Sequence, residues 1–413
     1  MSDVLRLLAG LVLFALASLT ALPAPTHFLW TASVIATESG YFLALAGMLV
    51  LIPTRHGTRV GKIGALLSAG AIALFAMPVA RASQMNHELP AAFDASFGKV
   101  RRERGPFAEG PRRDPLVFQE LLKPLNSRAV RFEERTFATY DGQKLTLDVY
   151  RPGYEHGPVP GVIVVHGGSW QNGDNGEFLA LNGYLAARDY VVAAINYRLA
   201  PRWRYPAGRD DVLSAIAYMK VYGPQFGVDP TRLALLGRSA GGQLALLCAF
   251  TAEEPAIRGV ISVYGPTDLQ FAYDHPAPRK LIDTRGVLET YLGGSPASTK
   301  QTYFDASPIN FVTSSSPPTL LIHGLHDGMV SPEQSGRLDA RLQQAGVKHL
   351  FVRLPWATHG CDTMWGGPCG QITTYAIERF LDGVMAPSPA KTSRGKLASN
   401  DAEPRKTRPA ARR

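Results

Sequence analysis

Apolar residues fall along this 413-residue chain in two regimes. Up to residue 80 they form three long runs, Leu7 to Leu22, Phe28 to Ile52 and Ile63 to Ala80, separated by short polar links. Each approaches the roughly 20 residues a helix needs to cross a bilayer, so residues 1–80 are expected to form a membrane region of about three transmembrane helices. After residue 129 short β-branched runs alternate with helical periodicity, as in a mostly parallel sheet covered by helices. Strands are expected at Arg131 to Thr139, Lys144 to Tyr150, Val159 to Val165, Val191 to Asn196, Arg232 to Leu236, Gly259 to Val263, Thr319 to Ile322 and His349 to Arg353. The first two suit a hairpin through Tyr140-Asp141-Gly142. Helical stretches lie near Gly176 to Arg188, Pro206 to Tyr222, Ser239 to Thr251, Pro332 to Ala345 and Gly370 to Gly383. The expected fold class is α/β, a mostly parallel central sheet flanked by helices, preceded by an all-α transmembrane segment.

The remaining segments read differently. Residues 81–128, rich in Pro, Arg and Gly, are expected to be a tether that also covers part of the site. The sheet domain is placed at 129–385, with a cap insertion near 265–316, where the chain is longer than a simple crossover needs. The basic tail, 386–413, has no apolar period and is expected to be disordered.

Charge changes the picture less than its sum suggests. The formal net charge is +9, but eight Lys or Arg against two Asp or Glu in the tail supply most of it. A solvated tail and one that meets anionic lipid headgroups are both open readings. No basic patch interleaved with aromatics marks the body of the domain, so no nucleic-acid partner is expected. Membrane lipids are.

Topology has open alternatives. The first run, with Arg6 before it and small residues near Ala21 to Ala24, reads as a span or as a cleaved signal peptide. Glu38 lies inside the second run, where it is a tolerated buried acid, a functional group or a break that would leave two spans. With three spans, Arg55, Arg59 and Lys62 place the amino terminus and second link in the cytoplasm and the domain at 129–385 outside. Arg81, Lys99 and the basic residues from Arg101 to Arg104 pull against that orientation. Among three cysteines, Cys248 is expected as a buried thiol, whereas Cys361 and Cys369 flank a short loop that a disulfide would close in an oxidising compartment.

The candidate chemistry lies where the expected strands end. Leu233 to Leu236 runs into Gly237-Arg238-Ser239-Ala240-Gly241-Gly242 and then an apolar helix, a nucleophile elbow in which only small residues fit beside the serine. A serine hydroxyl needs a base to take its proton. Of ten histidines, His359 stands just beyond the last expected strand, where this chain order puts the base. Asp327, in the loop with His323 and His326, fits the acid that orients the imidazole, with Asp268 as the competitor. His323 and His326 read as loop hydrogen-bonders, and with Asp327 they lack the further ligand a metal would require. His166-Gly167-Gly168-Ser169-Trp170 follows a strand, and its glycines let backbone amides approach a substrate beside the amide of Ala240. Trp170, Trp203, Tyr273 and Tyr291 are candidate pocket walls or core.

These blocks resemble the α/β-hydrolase superfamily, and within it the hormone-sensitive-lipase-like carboxylesterases and the related feruloyl-esterase and kynurenine-formamidase-like enzymes. The resemblance covers about residues 130–385 and includes Asn196-Tyr197-Arg198-Leu199-Ala200-Pro201. It implies the α/β-hydrolase fold, a Ser239, His359 and Asp327 triad, and an oxyanion hole from the amides of Gly168, Ser169 and Ala240. His166, Gly167, Gly237 and Gly241 would shape these motifs. Ser169 departs from the glycine of the lipase-like version, Arg238 replaces a common acid, and Arg202 stands where an acid is frequent. The expected function is a membrane-anchored carboxylesterase or lipase-like esterase acting on a small-molecule or lipid-like ester without a cofactor. Amide or peptide cleavage by the same triad and a non-catalytic membrane scaffold are the alternatives.

Overall fold

The computed structural model describes residues 2–52, 58–99, 103–127 and 130–386. Arg55, Arg101 and the basic tail beyond Ala386 lie outside them. Chain order begins with helices α1 (Asp3–Ser18), α2 (His27–Leu51), α3 (Arg59–Phe97) and α4 (Phe118–Leu122). The strands follow: β1 (Val130–Tyr140), β2 (Gln143–Pro152), β3 (Val159–Val165), β4 (Val191–Ile195), β5 (Val228–Arg238), β6 (Ile257–Val263), β7 (Thr319–Gly324) and β8 (His349–Leu354).

All eight expected strands join one sheet in the order β1-β2-β4-β3-β5-β6-β7-β8. From β4 to β8 all neighbours are parallel, whereas β2 runs antiparallel to both β1 and β4. The β1–β2 turn uses Asp141 at φ 49° and Gly142 at φ 77°, the paired left-handed residues that match hairpin twist. All seven residues of β3 are buried, with Val162 and Val164 in one core and Ile163 and Val165 in the other. Each such side chain contributes roughly 1.5–3 kcal/mol when fully buried, and burial on both faces explains the continuous apolar runs.

The covering helices are α5 (Leu179–Ala186), α6 (Ala207–Tyr222), α7 (Ala240–Thr251), α11 (Glu333–Gln344) and α12 (Pro368–Val384). Between β6 and β7, α8 (Leu269–Asp274), α9 (Thr284–Leu292) and α10 (Lys300–Asp305) form the segment expected to be a cap.

The amino-terminal part differs from the sequence expectation in two respects. Among the described residues, α2 and α3 are long and apolar enough to cross a membrane, whereas α1 has 16 residues. The third apolar run does not stop at Ala80: α3 continues to Phe97 through Pro78 and Pro90. Residues Ala82, Met85, Leu89 and Phe93 form a buried helical stripe in the sheet's core, and this periodic signal marks 81–97 as packed helix rather than tether. The following segment is also tied down, since Arg104 pairs with Glu378 at 2.7 Å and Asp382 at 2.8 Å on α12.

Helices α1, α2 and α3 meet through small residues. A Cβ on Gly10 would lie 2.4 Å from the Gly64 carbonyl oxygen, and one on Gly40 would strike Phe75 at 2.6 Å. At these two points no larger side chain would fit between the helices. Helix α2 passes through Glu38 unbroken, and the buried carboxylate accepts the Cys369 N–H at 2.7 Å.

Candidate active site

Four chain segments converge at the carboxyl ends of β3, β5, β7 and β8. Strand β5 delivers Ser239 in a tight turn with φ 52°, a conformation most side chains avoid. The flanking glycines are required by contact: a Cβ on Gly237 would sit 2.0 Å from the Gly241 carbonyl oxygen, and one on Gly241 would sit 2.2 Å from that of Val165. Ala240 is the first residue of α7, and the first N–H groups of a helix lack intrahelical acceptors. Its amide is thus placed beside the serine.

The structure brings the three expected side chains into one line. His359 Nε2 lies 3.0 Å from Ser239 Oγ, and His359 Nδ1 lies 2.7 Å from Asp327 Oδ2. Asp327 Oδ1 accepts the N–H groups of Met329 and Val330, each at 2.9 Å. Burial alone would push the Asp327 carboxyl up, but the His359 ring and the His323 donor hold it well below the ordinary carboxylate range. An ionised, acceptor-only Asp327 requires the proton on His359 Nδ1, leaving Nε2 to accept from the serine.

Asp268, the competing acid, is elsewhere: it caps α8 by accepting the Phe271 N–H at 2.9 Å and pairs with Arg337 at 2.8 Å.

After β3 the chain turns through His166, Gly167, Gly168 at φ 98° and Ser169 at φ 54°. A Cβ on Gly168 would lie 2.0 Å from the Asn172 carbonyl oxygen, and Gly167 packs against the elbow backbone of Arg238. Tyr197 supports this turn, its hydroxyl donating to the carbonyls of His166 and Gly167 at 3.3 and 3.1 Å. Trp170 lines a cavity of about 290 Å³ beside Ser239. Its Nε1–H donates to Gln243 at 2.9 Å, and its ring stacks on Tyr291 at 4.3 Å. Of the four aromatic candidates, only Trp170 faces that cavity, while Tyr291 buttresses it from behind.

His166 is buried and stacks on Tyr197 at 4.2 Å, with Nδ1 donating to the Gly167 carbonyl at 2.8 Å. Burial pushes its pKa down to about 4. The unfolded chain therefore takes up a proton near pH 6.5 that the folded chain refuses until about 4, so this histidine's contribution is complete above 6.5 and is lost as pH falls toward 4. Urea unfolding at pH 7.5 and 4.5 is expected to show wild type losing roughly 3 kcal/mol more than His166→Gln; parallel losses would refute the assignment.

Several supporting residues carried no strong motif. His323, expected to precede or lie within the acid's loop, is the penultimate residue of β7; its Nε2 lies 3.2 Å from Asp327 Oδ2 while its Nδ1 meets Ser335 at 2.8 Å. Trp30 of α2 donates its indole N–H to the His359 carbonyl at 2.9 Å. Arg238 is buried, ion-paired with Asp362, and its guanidinium lies 3.3 Å from the centre of the Phe178 ring. Asp362 belongs to the loop closed by the Cys361–Cys369 disulfide. Spacing gives these away only in part, because each partner comes from a distant segment.

A mostly parallel eight-stranded sheet flanked by helices, with a serine turn, an imidazole and a carboxylate at its strand ends, has the architecture of the α/β-hydrolase fold. The BD-FAE family model matches residues 147–342. The chain is 33% identical over 298 residues to the esterase LipC of Mycobacterium tuberculosis, covering 66% of this chain and 70% of that one. It is 28% identical over 392 residues to the probable carboxylic ester hydrolase LipM of the same organism, covering 89% of each. Among solved structures, a Pyrobaculum calidifontis esterase shares the fold with a TM-score of 0.54 and 24% identity, over 62% of this chain and 86% of that one. The chain belongs to the hormone-sensitive-lipase-like carboxylesterases of the α/β-hydrolase superfamily, and it is a hydrolase of carboxylic esters.

Proposed function

We propose that this carboxylesterase is anchored in a membrane and works through Ser239, His359 and Asp327 by way of an acyl-enzyme. The continuous line from Asp327 through His359 to Ser239, at 2.7 and 3.0 Å, carries the reading. Ser239 Oγ attacks the ester carbonyl as His359 Nε2 takes its proton, and Asp327 stabilises the imidazolium. The amides of Gly168, Ser169 and Ala240 bind the oxyanion, each donor contributing roughly 3 kcal/mol. The imidazolium protonates the departing alkoxide, leaving Ser239 acylated. Water, deprotonated by His359, then attacks the acyl carbonyl and releases the acid and free serine.

The full-length enzyme is expected to hydrolyse short p-nitrophenyl esters in preference to an acylanilide and to be labelled by a fluorophosphonate. Inertness toward both substrates together with no labelling would reject the mechanism; faster anilide cleavage would reject the ester preference.

Anchoring rests on the outward apolar surface of the first three helices, where Leu8 is 54% exposed, Leu49 67% and Leu66 74%. We read α1, α2 and α3 as a multi-pass membrane region. Thr58 donates through N and Oγ1 to Asp3 at 3.2 and 2.6 Å, which puts the amino terminus and the start of α3 at one end. Arg6, Arg59 and Lys62 sit near that end, which favours the cytoplasm for it, and the disulfide suits an extracytoplasmic catalytic domain. An alkaline phosphatase fused after Ala80 is expected to be active; fluorescence from a cytosol-only reporter at that position would reverse the orientation.

A further inference from the structure

Ser239 and His359 are reached from two sides. On one side lies the compact cavity of about 290 Å³ beneath α8 and α9; on the other is a groove of about 1000 Å³ that shares Ser169, Ser239 and His359 with it. Part of its lining belongs to α2, through Trp30, Val34 and Ile35, and part to the start of α5, through Leu179 and Leu181.

The α2 wall is fixed to the reacting groups by hydrogen bonds. Trp30 holds the His359 carbonyl at 2.9 Å, and a Cβ on Gly360 would touch its ring at 3.4 Å. Farther along the helix, Glu38 accepts from Cys369, and at its start the His27 N–H donates to the Lys280 carbonyl at 3.1 Å. Helix α2 thus contacts both the histidine loop and the segment between β6 and β7.

The mouth of the groove opens onto an apolar stripe. Ile35, 50% exposed, shares a helical face with Phe28, Phe42, Leu45 and Leu49, all exposed, at spacings of three, four and seven residues. Leu179, also in the lining, is 60% exposed. The groove's lining on α2 runs from His27 to Ile35, about 12 Å at helical rise, and the exposed face continues beyond it to Leu49, suiting a long chain rather than a compact group. Arg238 and Asp362 on the floor neutralise each other, and Glu177 on the wall is an acid, which disfavours an anionic headgroup.

We propose that this groove binds the long apolar chain of a neutral ester resident in the lipid layer, which slides along α2 until its carbonyl meets Ser239 while its compact side occupies the smaller cavity. The proposal rests on Ser239 acting as the nucleophile of a membrane-anchored enzyme.

The test uses full-length protein in phosphatidylcholine vesicles. The long-chain probes are p-nitrophenyl palmitate and hexadecyl acetate in the vesicles, and the short one is p-nitrophenyl acetate in solution. Ile35→Trp and Leu179→Trp narrow the groove from two different helices, so one remains informative if the other fails to fold. Each is expected to lower the long-to-short ratio of kcat/KM at least tenfold for one or both long-chain probes. An unchanged ratio, or equal loss on long and short esters, would overturn the proposal. The underlying reading fails separately: wild type would then hydrolyse none of the three and take no fluorophosphonate, whereas Ser239-dependent acetate hydrolysis without hydrolysis of either long-chain ester sinks the groove alone.

Discussion

Asp327→Asn is expected to lower kcat for ester hydrolysis about 10⁴-fold, the scale seen when the orienting acid of such a triad loses its charge. Every partner of this carboxylate donates: Met329 and Val330 to Oδ1, His323 and His359 to Oδ2. An asparagine must turn its NH₂ toward one of these donor pairs. Facing His359, it donates to Nδ1 and moves the ring proton to Nε2, where the ring can no longer accept from Ser239. Facing the loop, it breaks the two backbone bonds that hold the acid in place. Steady-state kinetics beside a thermal melt separates the outcomes, and a loss of less than tenfold in a folded variant would remove Asp327 from the mechanism. Ser239→Ala is expected to match or exceed that loss and to abolish fluorophosphonate labelling.

The second large effect is on stability. Arg238→Met is expected to destabilise the hydrolase domain by about 3–5 kcal/mol, because it leaves the buried Asp362 carboxylate without its cation. Asp362 would keep the Tyr264 hydroxyl, which donates to Oδ1, but one neutral donor does not replace a guanidinium. For a domain of this size the melting temperature should fall by roughly 10 °C. Because the Tyr264 ring lies 4.5 Å from that of His359, activity should decline as well. Adding Asp362→Leu removes the stranded charge and should recover much of the stability, since an apolar replacement of a buried ion pair is often neutral. A single variant as stable as wild type would show that the pair contributes nothing net.

Arg238 also illustrates how far reading along the chain reaches. As a residue it only marked a departure from the acid common before the serine. Its role depends on Asp362, more than a hundred positions later, and on Phe178, sixty earlier. Glu38 shows the same limit: its place inside an apolar run left a break, a buried acid or a function open, and only the approach of the α12 amino terminus supplies a partner. The stripe Ala82, Met85, Leu89 and Phe93 was legible as helix, but surrounding Pro and Arg residues masked it, and packing against the sheet's core outweighed the cost of Pro90 inside a helix.

Local rules were sufficient wherever the determining interactions are short-range. Burial on both faces demands the continuous apolar runs of β3, β4 and β7, while the exposed β1 was placed by its hairpin turn to β2 instead. The elbow needs glycine at 237 and 241 because neighbouring carbonyl oxygens leave no room for a Cβ, so the pattern itself announced Ser239. Chain order then singled out His359 and Asp327 as its companions. The tertiary structure decided which distant groups hold them: His323 behind Asp327, Tyr197 under the Gly167 turn, and Trp30 on the His359 carbonyl from more than three hundred residues away. A hydrogen bond between remote segments leaves no periodicity in either one, and only the packing of sheet, helices and amino-terminal bundle brings the donor to its acceptor.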